Sequence, residues 1–263
     1  MEGFSVRRKS KVLVAALCAV LMLSLLLVGC QKKDDLAKIK DAGKIVWGTN
    51  AEFMPFETKD SDGNVIGIDQ EIAQKIADRL GVELQVEDME FDSLPAALDS
   101  GKIDFIAAGY SKDAEREKSM DFSDPYFTAA QVVMVREDSD IKTKEDLVGK
   151  QLGVQNGTTG DVKVASLIEG AEVARHSSLM LAAQDLKNGK IDAVIGDNLP
   201  SMMIINNIEG LKILDDIKYE DEDYSVAVRK GQEGLLKEIN AVLKEMIDNG
   251  EIDAAREKYF TME

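Results

Sequence analysis

Two segments of the chain repeat one another: Leu98 to Gly109 reads LDSGKIDFIAAG, and Leu186 to Asp197 reads LKNGKIDAVIGD. Each reads as a helix end, a glycine cap and a buried strand. Eight positions separate Gly101 from Gly109, and eight separate Gly189 from Asp197, so Gly109 and Asp197 are expected at equivalent places, at the carboxyl ends of equivalent strands. A chain carrying such a unit twice is expected to form two similar α/β lobes. In open sheets of this kind the ligand crevice lies outside the carboxyl ends of the strands. The 263 residues suit one large domain or two modest ones.

Hydrophobic residues make up 44% of the chain and charged residues 31%, with 4 prolines, which excludes collagen, low-complexity disorder and a polytopic membrane protein. The balance of 32 basic against 49 acidic residues, net -17, repels a phosphate backbone, so nucleic acid is not an expected partner. Arg7, Arg8, Lys9 and Lys11 precede a weakly polar to apolar run from Val12 to Val28, the charge step and core of an export signal. A run of this length lies at the lower edge of what spans a bilayer, but Leu27-Val28-Gly29-Cys30 resembles the bacterial lipoprotein box and the polar stretch Gln31 to Asp35 follows it. Residues 1–29 are therefore expected to be a signal peptide, Cys30 a lipid-bearing N-terminus anchored at the outer face of the membrane, and residues 30–43 a polar tether. Cys18 leaves with the leader, so no disulfide, thiol nucleophile or cysteine metal site is expected. Removal of those four cations and Glu2 leaves 28 basic against 48 acidic residues, net -20.

Along the remaining chain, Lys44 to Thr49 reads as a first buried strand, followed by a loop with Phe53, Pro55 and Phe56. Asp60, Asp62, Asn64 and Glu71 have calcium-loop spacing, but Val65 stands where that loop requires glycine, and Gly63 suits a tight hairpin turn instead. Ile68, Ile72, Ile76 and Leu80 predict an amphipathic helix closed by Gly81, with a strand from Val82 to Val86. A second lobe opens near Gln131. Its strand Gln151 to Gln155 leads through Asn156-Gly157-Thr158-Thr159-Gly160 into an expected helix, a geometry that turns backbone N–H groups toward an anion, phosphate or carboxylate. No lysine follows as in a nucleotide-binding P-loop. After a strand from Tyr224, residues Leu235, Leu236, Ile239, Val242, Leu243, Met246 and Ile247 form a helical stripe expected in the core.

Together GTNAEFMPFE (48–57), SGKIDFIAAG (100–109), Glu115-Arg116, DFSDPYF (121–127), GVQNGTTG (153–160) and GDN (196–198) resemble the exported solute-binding proteins of ABC importers, in the branch that binds polar amino acids. The resemblance runs from about Ile45 to Phe260. It implies an α/β, two-lobed periplasmic-binding-protein-like fold of type II, each lobe an open sheet flanked by helices. Lobe 1 comprises residues 44–127 with 223–263, lobe 2 residues 128–222, and strands near Tyr126 to Ala130 and Glu220 to Ser225 form the hinge. The partners implied are a free amino acid and the permease subunits, with no cofactor and no metal.

Residue by residue, the resemblance implies that Arg116 grips the ligand's planar α-carboxylate in a bidentate fork. Ser111 and, from the other lobe, Thr159 support the same carboxylate. The Gly109 carbonyl and the Asp197 carboxylate take the ammonium group. Asn50, Glu52, Phe53, Leu94 and Gln155 correspond to side-chain-facing positions, Phe53 stacking on or covering the ligand. Asn50 stands where many relatives selecting cationic side chains carry Asp, which leaves glutamine, arginine, histidine or a similar polar amino acid open. Tyr110, Lys112, Asp113 and Ala114 depart from the hydroxyl-rich pattern usual before this arginine. His176, the only histidine, is expected on the surface and supplies neither a metal set nor a triad. The function expected is capture without chemistry. The alternatives are an exported enzyme of the same fold, such as a cyclohexadienyl (arogenate/prephenate) dehydratase with Glu52 as its tempting acid, and a sensory ligand-binding domain.

Overall fold

A computed structural model describes residues 35–261; the expected leader and Cys30 lie outside the described residues. The first lobe contains α1 (Asp35–Ala42), β1 (Lys44–Thr49), the short strands β2 (Glu52–Phe53), β3 (Glu57–Lys59) and β4 (Val65–Ile66), α2 (Ile68–Leu80), β5 (Glu83–Asp88), α3 (Leu94–Ser100) and β6 (Phe105–Ile106). The long strand β7 (Met120–Arg136) leaves it. Then come β8 (Gln151–Gln155), β9 (Glu172–His176), α4 (Leu179–Lys187), β10 (Ala193–Asp197), α5 (Asn198–Asn207) and β11 (Leu211–Ile213). Strand β12 (Asp221–Arg229) returns, and α6 (Glu233–Asp248) and α7 (Glu251–Phe260) close the chain against the first lobe.

The sheet path runs β5-β1-β6-β12-β7-β10-β8-β9, with β11 also on β7. Strands β5, β1 and β6 are parallel on one side, and β10, β8 and β9 are parallel on the other. Between them β7 and β12 run antiparallel, from the pair Asp221 and Ala130 to the pair Arg229 and Met120, with register slips between Tyr224 and Ala227. Two α/β units thus flank one irregular two-stranded ladder, and bulges of this kind bend a strand.

The sequence echo is an echo of hydrogen bonds. In the first lobe Asp104 Oδ2 accepts the Val46 N–H at 2.9 Å and the Asp104 N–H bonds the Val46 carbonyl at 2.8 Å. In the second, Asp192 Oδ2 accepts the Gln151 N–H at 2.9 Å and the Asp192 N–H bonds the Gln151 carbonyl at 2.8 Å. The isoleucine of each repeated GKID lies over a glycine of the neighbouring strand: a Cβ on Gly48 would stand 2.2 Å from Ile103, and one on Gly153 2.4 Å from Ile191. Only a residue without a side chain lets helix, strand and isoleucine approach this closely.

Ile68, Ile72 and Ile76 are fully buried on α2, and Gly81 ends that helix in the left-handed region. Asp60 closes the expected β3–β4 turn by accepting the Asp62 and Asn64 N–H groups, both at 2.9 Å. Four expectations need correction. The tether is helical from Asp35 on: Asp35 is buried, takes Arg229 Nη2 at 2.7 Å and donates its N–H to Gln232, while Ile39 enters the core. After Thr159 the chain makes one π turn (Gly160–Val164) and a 3-10 turn rather than a regular helix. There the buried Asp161 accepts the Gly157 N–H and the Arg175 Nε, a side-chain alternative to the helical ladder. Ile247 is exposed at the edge of the α6 stripe. His176 is half-buried, with Nε2 3.1 Å from Asp185.

Candidate ligand-binding site

At the carboxyl ends of β1, β6, β8 and β10 the two lobes enclose one cavity. Asn50, Phe53, Gly109, Ser111, Arg116, Gln155, Thr159 and Asp197 all line it, with Glu57, Phe91, Ala108 and Thr158. Asn50 lies one residue past β1, Gln155 and Asp197 end β8 and β10, and Gly109 lies three residues past β6. The cavity is tightly drawn: the space open to the centre of a water molecule is about 10 Å³, roughly one water's worth.

Direct contacts cross the cleft. Gln155 Nε2 donates to Asn50 Oδ1 at 2.8 Å, Arg116 Nη2 to the Gly157 carbonyl at 3.1 Å, and Asn156 Nδ2 to Asp92. Gly157 has φ +77°, and a Cβ there would stand 3.0 Å from that of Asp92. Lys163 lies 3.6 Å from Asp113.

Arg116 is held in place before any ligand is considered. Its guanidinium lies 4.0 Å from the Tyr110 ring centroid and 5.7 Å from that of Phe91, a cation–π platform. Nη1 donates to the Ser111 carbonyl at 2.6 Å. Asp113 Oδ1 accepts the Glu115 and Arg116 N–H groups and so caps the turn that carries the arginine. The departures at Tyr110 and Asp113 thus have structural work: one is the platform, the other the cap.

Asp197 sits opposite, 5% exposed. Its Oδ1 accepts from Tyr224 Oη at 2.7 Å and Gln131 Nε2 at 2.9 Å. Thr159 Oγ1 receives a bond from Gln131 and donates to Glu222 Oε2 at 2.6 Å. Burial, reinforced by the Glu222 carboxylate, raises the Asp197 pKa to about 7, against the bonds from Tyr224 and Gln131 and the charge of Arg116. A cation placed beside Asp197 relieves that burial, whereas an anion does not.

Two of the positions that correspond to side-chain-facing ones, Glu52 and Leu94, do not line the cavity. Glu52 and Phe53 are neighbours on β2, where successive side chains point to opposite faces. Phe53 is buried in the cavity wall, while Glu52 is exposed on a groove that Phe53 also borders. Leu94 is buried in the first lobe's apolar core beneath the site. Gln131, Glu222, Tyr224, Glu57 and Asp69 were missed as site residues. For the first three a signal existed: Gln131 pairs in register with Asp197, and Glu222 and Tyr224 are two apart on β12, hence on one face. Glu57 carried none, since Lys59 shares its strand parity yet is exposed.

Comparison with known proteins places the chain in a family. The profile of bacterial extracellular solute-binding proteins, family 3, matches residues 45–262. A probable histidine-binding protein of Neisseria gonorrhoeae is 34% identical over 256 residues, 95% of this chain and 96% of its own. The arginine-binding extracellular protein ArtP of Bacillus subtilis is 35% identical over 84% of this chain and 87% of its own. Among solved structures, a P235GK mutant of ArgBP from T. maritima superposes with a TM-score of 0.82 at 43% identity, covering 86% of this chain and 99% of that one.

Proposed function

The chain belongs to the bacterial extracellular solute-binding proteins of family 3, and on that premise we propose that it captures a polar amino acid between its lobes and delivers it to the permease of an ABC importer. The observation that carries this reading is the enclosure of Arg116 and Asp197, opposite in charge and drawn from opposite lobes, in one cavity. A zwitterion matches both. Its carboxylate meets Arg116, Ser111 and Thr159, and its ammonium meets the Gly109 carbonyl and Asp197. Closure follows because only the closed form lets one molecule touch both lobes.

The side chain points toward Asn50, Phe53 and Gln155. Gln155 Nε2 is already bonded to Asn50 and to the Ser177 carbonyl, and Asn50 Nδ2 to the Met89 carbonyl. Gln155 Oε1 and the second lone pair of Asn50 Oδ1 remain as acceptors, which suits a side chain with N–H donors: glutamine, arginine or histidine. A thermal-shift screen of the protein without its lipid against the twenty amino acids tests the reading, because tight ligands raise apparent stability by mass action. No shift with any of them overturns it.

Lobe 1 is assigned residues 44–127 with 223–263, lobe 2 residues 128–222, and the β7/β12 ladder is the hinge. The chain is exported after cleavage of residues 1–29 and is anchored through lipid on Cys30; palmitate labelling lost in Cys30→Ser is the test. Binding without chemistry is the reading adopted. Glu52, the acid that the dehydratase alternative needs, lies outside the cavity, and recovery of intact ligand after incubation, with no turnover of prephenate or arogenate, is the expected outcome.

A further inference from the structure

Two carboxyls at the cavity have no part assigned in ligand capture: Glu57, in its wall, and Asp69, behind it. Glu57, on β3, and Asp69, in the first turn of α2, are both fully buried. Neither Glu57 oxygen, nor Asp69 Oδ1, receives a bond from any N–H or hydroxyl group. The Asp69 N–H bonds the carbonyl of Phe56 at 2.9 Å, which sets Asp69 beside Glu57, and the Asp69 charge is the one that acts most strongly on Glu57. Two bare carboxylates so placed repel each other in a low-dielectric interior; a carboxylic acid and a carboxylate attract.

We propose that Glu57 and Asp69 share a single proton, and that the charge this leaves on Asp69 makes it a positioning residue, fixing Gly109 in the ligand cleft and Tyr126 on the strand between the lobes. The proton belongs on Glu57 for reasons of geometry. Asp69 Oδ2 accepts the Gly109 N–H at 2.7 Å and the Tyr126 O–H at 2.9 Å, and its place in the first turn of a helix favours negative charge. Glu57 has none of these donors. The titratable groups facing it are Asp69 itself, the Tyr126 hydroxyl and Asp88, whose carboxylate is paired with Lys59; Arg116 and Asp197 line the same cavity. Its pKa is accordingly pushed well above the usual carboxylate range, by burial first and then by the Asp69 charge, while that of Asp69 is raised only to about 6, by burial against the bonds from Gly109 and Tyr126.

The arrangement joins three parts of the molecule through one oxygen. Gly109 provides the carbonyl assigned to the ligand ammonium, Tyr126 lies on β7, and α2 is the rigid element that carries Asp69. The positioning role rests on the proposed function; the shared proton does not.

Glu57→Gln is the decisive variant, because its amide donates to Asp69 as the acid does. Folded wild type keeps a proton that the unfolded chain releases above about pH 4.3, so its stability falls as pH rises through that point. The melting-temperature advantage of Glu57→Gln over wild type is expected to grow from pH 4.5 to pH 8. An advantage flat in pH means that Glu57 is ionised and overturns the shared proton. In binding, Asp69→Ala is expected to hold L-arginine, L-glutamine and L-histidine about tenfold more weakly than wild type. The Gly109 amide proton is expected far downfield by NMR in wild type and Glu57→Gln. Should Asp69→Ala not fold, that NMR signal decides: a Gly109 resonance at an ordinary amide position overturns the positioning role. If wild type binds no amino acid at all, the function fails while the stability arm still reads the proton.

Discussion

Asn50 and Gln155 bond directly across the cleft at 2.8 Å, and they hold the same place in the two lobes. Each stands two residues beyond the glycine, Gly48 or Gly153, that receives the isoleucine of the repeated unit. Removing either amide is expected to weaken ligand binding about fivefold, one ordinary hydrogen bond, with a coupling of about 1 kcal/mol in the Asn50→Ala/Gln155→Ala cycle by calorimetry. Asn50→Asp places a carboxylate among acceptors, and is expected to shift preference about tenfold toward amino acids with cationic side chains.

Arg116→Ala is expected to lose two to three orders of magnitude in affinity, since it removes one partner of a desolvated charge pair. Arg116→Lys keeps the charge but neither the fork nor the stacking on Tyr110, and is expected to recover only part of that loss. Titration calorimetry with the ligand found by the screen measures both, and wild-type affinity in Arg116→Lys contradicts a bidentate grip.

The raised pKa of Asp197, about 7, gives binding a pH slope. The folded closed protein keeps a proton there that the unfolded chain releases above about pH 4, so its stability without ligand falls as pH rises from about 4 to 7. A bound ammonium favours the carboxylate and expels the proton. Affinity therefore rises over that window, by up to about tenfold per pH unit, and the ligand-induced thermal shift is expected to be larger at pH 7 than at pH 5.5. Asp197→Asn is expected to bind weakly at both values and to abolish the slope.

Gly157→Ala is expected to hinder closure. The substitution strains a backbone at φ +77° and sets a methyl against Asp92, a penalty of about 1 to 3 kcal/mol. Affinity is expected to fall about tenfold, and small-angle scattering at a ligand concentration that half-saturates wild type to show a larger radius of gyration in Gly157→Ala than in wild type.

A chain starting at Lys44 lacks the helix that delivers Asp35 to Arg229. Loss of one partner of such a pair costs roughly 3 kcal/mol, so the melting temperature is expected to fall by about 5 to 10 °C relative to a chain starting at Gln31. Affinity for the ligand is expected to be unchanged.

The eight residues that the family resemblance and the repeated unit singled out line one cavity, because lobe architecture gathers strand ends into one place. What the sequence hid is pairing at long range. Asp35 reaches Arg229 across 194 positions, and its helix is masked by a charged composition that reads as a tether. Asp69 was visible only as the second residue of an amphipathic helix; nothing local says that Gly109 and Tyr126 converge on it. The sequence leaves open whether Glu52 reaches the ligand, because the face a two-residue strand presents depends on which neighbour enters the core.

Gly109 and Asp197 are counterparts in a duplicated unit, yet one presents only main chain and the other a titratable acid. Arg116, which follows the first copy, lines the same chamber as the acid that ends the second. That difference gives the chamber a polarity, so a molecule whose two ends differ is read in a single sense. Mirror-image amino acids are then separable there, because fixing two substituents of the α-carbon dictates where the third must go.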